Sequence, residues 1–137
     1  MLNIYLAGNM TPDAMHYDAW TTKFISVLDG WDGPARSGVA NQHLSGRMIV
    51  RHDLARLRKS DILVVNLAVE DPRNHLTGMV VEIYEAFRLG IPVYAFTDGY
   101  HRSEQADSPW IQEFITHEFQ DVEELLHHLQ FNENLPG

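Results

Sequence analysis

Three stretches of this chain stand in an order that few folds accommodate. Ile62 to Leu67 is an uninterrupted apolar run. A polar connection follows, then Thr77-Gly78-Met79-Val80-Val81-Glu82-Ile83 with helical spacing, then Gly90 and a second apolar run from Pro92 to Phe96. A continuous apolar run bounded by turn residues is what a strand buried on both faces looks like, and two such strands joined by a helix form a parallel β-α-β unit. Such a sheet binds ligands beyond the carboxyl ends of its strands, and Glu82 falls just past one of those ends. Gly78, at the start of the helix, would let backbone approach a ligand closely, with the Glu82 carboxylate one turn later.

The rest of the chain extends the pattern. Asn3 to Ala7 is β-rich and is stopped by Gly8-Asn9. Pro12 and Asp13 open a helix with an apolar stripe at Ala14, Tyr17, Trp20, Phe24 and Leu28, ending at Gly30. Trp31 to Leu44 is mostly loop with at most a short strand. Ser45 caps a helix through about Lys59, with Met48, Leu54 and Leu57 facing inward. Glu70 to His75 and Asp98 to Pro109 are polar loops. Trp110 to Phe114 forms a turn of helix, Ile115 to Phe119 a short edge strand, and Asp121-Val122-Glu123-Glu124 starts a last helix through Gln130. Strands alternating with helices predict an α/β fold, a flavodoxin- or Rossmann-like three-layer sandwich with a mostly parallel central sheet. The 137 residues, 45% of them hydrophobic, suit one domain over 1–137.

Charge and composition narrow the function. A net charge of −9 disfavours a nucleic-acid polymer or an anionic membrane surface as partner, leaving a small molecule or a protein. With no cysteine, thiolate zinc sites, disulfides and cysteine nucleophiles are excluded. The eight histidines lack ligand spacing: His127 and His128 are adjacent and diverge on a helix, and the others are scattered, so no metal site is expected. No Walker loop or dinucleotide fingerprint is present, so ATP and NAD are disfavoured and no cofactor is expected. No leader-like or membrane-spanning run precedes the first strand, and a cytoplasmic location is the expectation.

Ile4-Tyr5-Leu6-Ala7-Gly8, Arg51-His52-Asp53-Leu54, Ser60-Asp61-Ile62-Leu63-Val64-Val65-Asn66-Leu67 and Thr77-Gly78-Met79-Val80-Val81-Glu82-Ile83 through Pro92-Val93-Tyr94, in that order and spacing, resemble the nucleoside 2-deoxyribosyltransferase family and its relatives, the deoxynucleoside 5'-monophosphate N-glycosidases. The resemblance implies an enzyme with a covalent mechanism. The glutamate matching Glu82 attacks C1' of a 2'-deoxyribonucleoside, the base departs, and a second base or water captures the sugar, by the logic of retaining glycosidases. It also implies that Tyr5 orients the nucleophile and that Asp53 contacts the deoxyribose. Gly8, Asn9 and Gly78 would lie against the substrate, and Ser108 sits roughly where the monophosphate hydrolases place a phosphate-binding serine. Deoxynucleosides or deoxynucleotides and free nucleobases are the implied small-molecule partners, handled by a homo-oligomer. The helix bearing Tyr84 and Phe87 would be the interface element.

Each residue also has a plainer reading. Glu82 is a surface glutamate paired with Arg88 or another neighbour; Tyr5 is a core tyrosine bonded to backbone, unless the first and third strands are adjacent and bring it to Glu82. Asp53 pairs with Arg56, Gly8 and Gly78 are turn glycines, and Ser108 is a helix cap. Asp61, at the amino end of its strand, is structural. Where the family carries a base-contacting aspartate or a phosphate-binding serine, six residues before the glutamate, this chain has Leu76. Base exchange between deoxynucleosides leads, with hydrolysis of a deoxynucleotide and a non-catalytic nucleotide-binding module as alternatives. Arg36, Arg47, Arg51, Arg73 and Arg102 are the cations available to a phosphate.

Overall fold

The computed structural model describes residues 3–8, 35–37, 46–69, 76–98 and 101–132. The predicted stripe from Ala14 to Leu28, the cap at Ser45, the connection 70–75 and Asn9 lie outside these residues.

Five strands form one parallel sheet: β1 (Ile4–Ala7), β2 (Ala35–Ser37), β3 (Ile62–Asn66), β5 (Val93–Phe96) and β7 (His117–Glu118), in the order β2-β1-β3-β5-β7. Two further strands, β4 (Ala68–Val69) and β6 (His101–Arg102), make a separate antiparallel ladder. In order along the chain, the main-sheet strands follow the flavodoxin-like sequence 2-1-3-4-5. Its crevice lies where the order reverses, between β1 and β3. Tyr5 pairs in register with Leu63, and Val65 with Ala95, so β1, β3 and β5 present their carboxyl ends along one edge.

Helices cover both faces. Along β1, β3 and β5, alternate residues point to opposite sides. Ile4, Leu6, Ile62, Val64, Tyr94 and Phe96 pack with the last helix, α4 (Val122–Asn132), through Val122, Leu125, Leu126 and Leu129. Tyr5, Ala7, Leu63, Val65, Val93 and Ala95 face α1 (Gly46–Arg58) and α2 (Thr77–Arg88) through Leu57, Met79, Ile83 and Ala86. Full burial of each Val, Leu, Ile, Met or Phe side chain among them contributes roughly 1.5–3 kcal/mol, which is why β1, β3 and β5 are apolar along nearly their whole length.

The ends of the elements follow local chemistry. α2 stops where Gly90 takes φ of 75°, a left-handed conformation that suits glycine. At the start of α4, Asp121 Oδ1 accepts the Glu124 N–H at 2.8 Å and Glu124 Oε2 accepts the Gln120 N–H at 3.1 Å, a reciprocal arrangement close to the predicted capping box. Asp61 is structural as expected, its carboxylate accepting the Asn3 N–H at 2.7 Å and tying β1 to the amino end of β3.

Two expectations need correction. Met48 is 55% exposed and does not face inward with Leu57. The segment from Asp98 to Pro109 is not simply loop: it holds β6 and a 3₁₀ helix (Glu104–Asp107), followed by α3 (Pro109–Gln112). No helix among the described residues is long and apolar enough to cross a membrane.

Candidate active site

Glu82 lies in the second turn of α2, on the side that looks towards β1 and α1. It is half-buried, and its carboxyl is pushed from an ordinary 4.5 up to about 7. Loss of hydration is the main cause. The Tyr5 hydroxyl opposes it by favouring the charged form, while the negative charge of Asp53 adds to the rise. Tyr5 is fully buried on β1 and Asp53 half-buried on α1, so three elements of the same face bring the three side chains together. β1 and β3 are indeed neighbours, the condition on which a Tyr5–Glu82 contact depended.

Among the described residues, Arg88 is not the partner of Glu82. Arg88 is engaged by Glu85 at 2.8 Å, and Arg58 of α1 reaches the same carboxylate at 3.1 Å. These two guanidinium groups hold the Glu85 carboxyl down to about 2. Glu82 and Glu85 thus sit one turn apart on one helix, the first kept reluctant to ionise and the second kept charged.

Gly78 precedes Glu82 by one turn. Its backbone is helical, and a Cβ built on it would meet nothing within 4 Å, so neither a left-handed conformation nor crowding by the protein requires a glycine there. Gly8 follows β1 at the same edge. Ser108 caps α3: its Oγ accepts the Trp110 N–H at 3.2 Å, with Pro109 in the first turn. Leu76 is buried in the core beneath α2 and offers no polar group to a ligand. Of the candidate phosphate cations, Arg102 is already held, by Glu118 at 2.9 Å and Asp107 at 2.9 Å. Arg47 and Arg51 are exposed on α1, and Arg73 lies outside the described residues.

The structure adds three polar residues that the sequence did not single out. Asn66, buried at the end of β3, grips the backbone beyond β5: its Nδ2 donates to the Asp98 carbonyl at 2.9 Å and its Oδ1 accepts the Asp98 N–H at 3.0 Å. A polar residue closing an otherwise apolar strand was the available signal. Thr97 follows β5 with its hydroxyl buried and without a hydrogen-bond partner among the described residues. The alternation Val93, Ala95, Thr97 assigns it to the α2 face. Gln105, on the 3₁₀ helix, accepts the Leu76 N–H through its Oε1 at 2.8 Å. Nothing in the sequence announces that contact.

No protein-family model and no curated protein sequence matches the chain. Solved structures do. A 2-deoxyribosyltransferase from Leishmania mexicana superposes with a TM-score of 0.73 at 16% identity, covering 96% of this chain and 99% of that one. The chain has the 2-deoxyribosyltransferase fold. The 2-deoxyribosyltransferase of Bacillus psychrosaccharolyticus gives a TM-score of 0.66 at 20% identity, with 90% of each chain covered. A CMP N-glycosidase from Clostridium botulinum gives 0.60 at 12% identity, over 93% of this chain and 98% of that one. The predicted α/β architecture and the resemblance seen in the sequence therefore agree with solved structures at the level of fold.

Proposed function

We propose that this protein is a nucleoside 2-deoxyribosyltransferase that cleaves the N-glycosidic bond of 2'-deoxynucleosides through a deoxyribosyl-Glu82 ester. The observation carrying this reading is the half-buried Glu82 carboxyl, under the influence of the Tyr5 hydroxyl and the Asp53 charge at the carboxyl edge of the sheet. A carboxylate oxygen of Glu82 attacks C1'. The C1'–N bond breaks, its electron pair leaves on the base nitrogen, and the base takes up a proton. In the second half, a nitrogen of another free base attacks C1' from the opposite side, loses its proton, and Glu82 departs as carboxylate. Tyr5 holds the attacking oxygen in place, Asp53 binds sugar hydroxyls, and Gly8, Asn9 and Gly78 leave backbone room for the substrate. No cofactor enters these steps.

Release to water instead of a second base is the alternative outcome, as in an N-glycosidase acting on nucleotides. The engaged state of Arg102 and the capping role of Ser108 favour nucleosides over monophosphates, because these two of the groups offered to a phosphate are already committed within the chain, which leaves Arg47 and Arg51, exposed on α1, as the described cations a monophosphate could use. A homo-oligomer in the cytoplasm is part of the same reading.

One chromatographic assay tests it. A deoxynucleoside incubated with a different free base yields the swapped deoxynucleoside; deoxynucleoside monophosphates test for release of free base. Ribosides are expected to react roughly tenfold more slowly or worse. A buried hydroxyl without a partner costs about 1–3 kcal/mol, and the 2'-oxygen withdraws electrons from an oxocarbenium-like transition state. Equal kcat/KM for ribo and deoxyribo substrates, or no product in either assay, refutes the proposal.

A further inference from the structure

We propose that Gln105 is a positioning residue for Glu82, holding the start of α2 so that the carboxyl stays lodged against β1. The inference rests on Glu82 being the reacting group proposed above. α2 begins without the usual local devices. Its N-cap residue is Leu76, no side chain of that residue caps it, and the first turn holds no acid. Yet Glu82 lies only about 9 Å along the helix axis from that end, at a rise of ~1.5 Å per residue. A shift of the helix start is carried to the carboxyl almost undiminished.

Gln105 supplies the missing anchor from 29 positions away, its Oε1 accepting the Leu76 N–H at 2.8 Å. The anchor is itself held rigidly. The Gln105 N–H donates to Ser103 Oγ at 3.2 Å, and the buried Ser103 donates its N–H to the Leu67 carbonyl at 3.0 Å, at the end of β3. Beside it, β6 pairs with β4 through Ala68↔Arg102 and Val69↔His101. Both ends of the connection between β4 and α2 are therefore tied to the single segment 101–105. That segment is pinned to β7 in turn, since Arg102 bonds Glu118 through Nε at 3.0 Å and Nη2 at 2.9 Å. Gln112 Nε2 bonds the Ala106 carbonyl at 2.7 Å and Glu118 Oε1 at 3.1 Å. A glutamine presented on so braced a support fixes a helix end at little further loss of freedom.

Three variants test this. Gln105→Met keeps the volume and removes the acceptor, Gln105→Glu keeps an acceptor, and Gln105→Asn withdraws the amide by one methylene. Two readouts are taken besides thermal stability: the kcat and KM of base exchange, and the titration of the Glu82 carboxyl followed by carbon-13 NMR. Gln105→Met is expected to lose roughly ten- to a hundredfold in kcat with KM little changed, the scale of a nucleophile displaced by up to 1 Å. Its Glu82 titration should move back towards the ordinary carboxylate range as water reaches the group, and Gln105→Glu should restore both. If Gln105→Met does not fold, Gln105→Asn is read by the same two measures. A folded variant lacking the acceptor, with lowered stability but wild-type kcat and unchanged Glu82 titration, overturns the proposal. A wild-type protein inactive on every deoxynucleoside refutes the proposed function instead, and the NMR titration still decides what Gln105 does.

Discussion

Glu82 is kept half-dehydrated beside a second acid, and the folded protein is less stable for it once the group ionises. The sign follows from the two pKa values. The folded carboxyl titrates near 7 and an unfolded one near 4.5, so between these pH values the folded state holds a proton that the unfolded state has released. Stability therefore falls as pH rises from about 4.5 to about 7 and is level above, by roughly 2–4 kcal/mol in all. Glu82→Gln, which cannot form the ester, is expected to lose turnover yet to melt higher than wild type at pH 8. The two should melt alike near pH 4, and calorimetry at the two pH values checks this. In the wild type, kcat/KM should rise with pH along an acid limb near 7, where the free carboxyl becomes a nucleophile. Tyr5→Phe keeps the buried ring but loses the hydroxyl that favours the charged form. Its acid limb should move up by about one pH unit, with roughly fivefold less activity at pH 7; an unmoved limb would remove Tyr5 from the mechanism. That Tyr5 and Asp53 come close to Glu82 was legible before the fold, through motif order and through the position of Glu82 past a strand end. Gln105 and Thr97 were not, because their significance depends on which atoms lie opposite them across the fold, and no local pattern encodes that.

At the scale of the element, α2 carries both the proposed nucleophile and a test of how the helix opens. Gly78 is exposed, helical and uncrowded, so Gly78→Ala should fold well and gain up to about 1 kcal/mol from the better helix former. Kinetics measured alongside the melting curve then separate two uses of the glycine. A raised KM or lowered kcat in a stabilised variant means that bare backbone is needed for the substrate, whereas unchanged kinetics would make Gly78 a plain helix residue. The elements themselves were legible wherever periodicity had room to show. Ile62–Asn66 announced a strand buried on both faces by its unbroken apolar run, and the helix bearing Glu82 by its spacing and its terminal Gly90. β4 and β6 escaped because two-residue strands have no period at all. Met48 was misjudged because an apolar side chain is not obliged to face a core.

For the molecule as a whole, the outer side of α2 and α3 is unusually apolar for a surface. Tyr84 is 50%, Phe87 53% and Trp110 73% exposed, and the first two rings lie 5.4 Å and 4.8 Å from that of Phe114. Contiguous aromatic surface of this kind belongs against another protein surface. A second copy is expected to cover it. Light scattering should give at least a dimer at assay concentration, and Tyr84→Glu with Phe87→Glu should shift it towards monomer; a fully active wild-type monomer would contradict this. The sheet offers a very different margin. β7 contributes only His117 and Glu118 to the ladder, and Glu118 is clamped by Arg102. A foreign strand approaching that rim finds too few free backbone groups to extend the sheet, and would have to strip a buttressing ion pair to gain more. This rim is thus guarded against fibrillar stacking, even as the aromatic flank invites a partner.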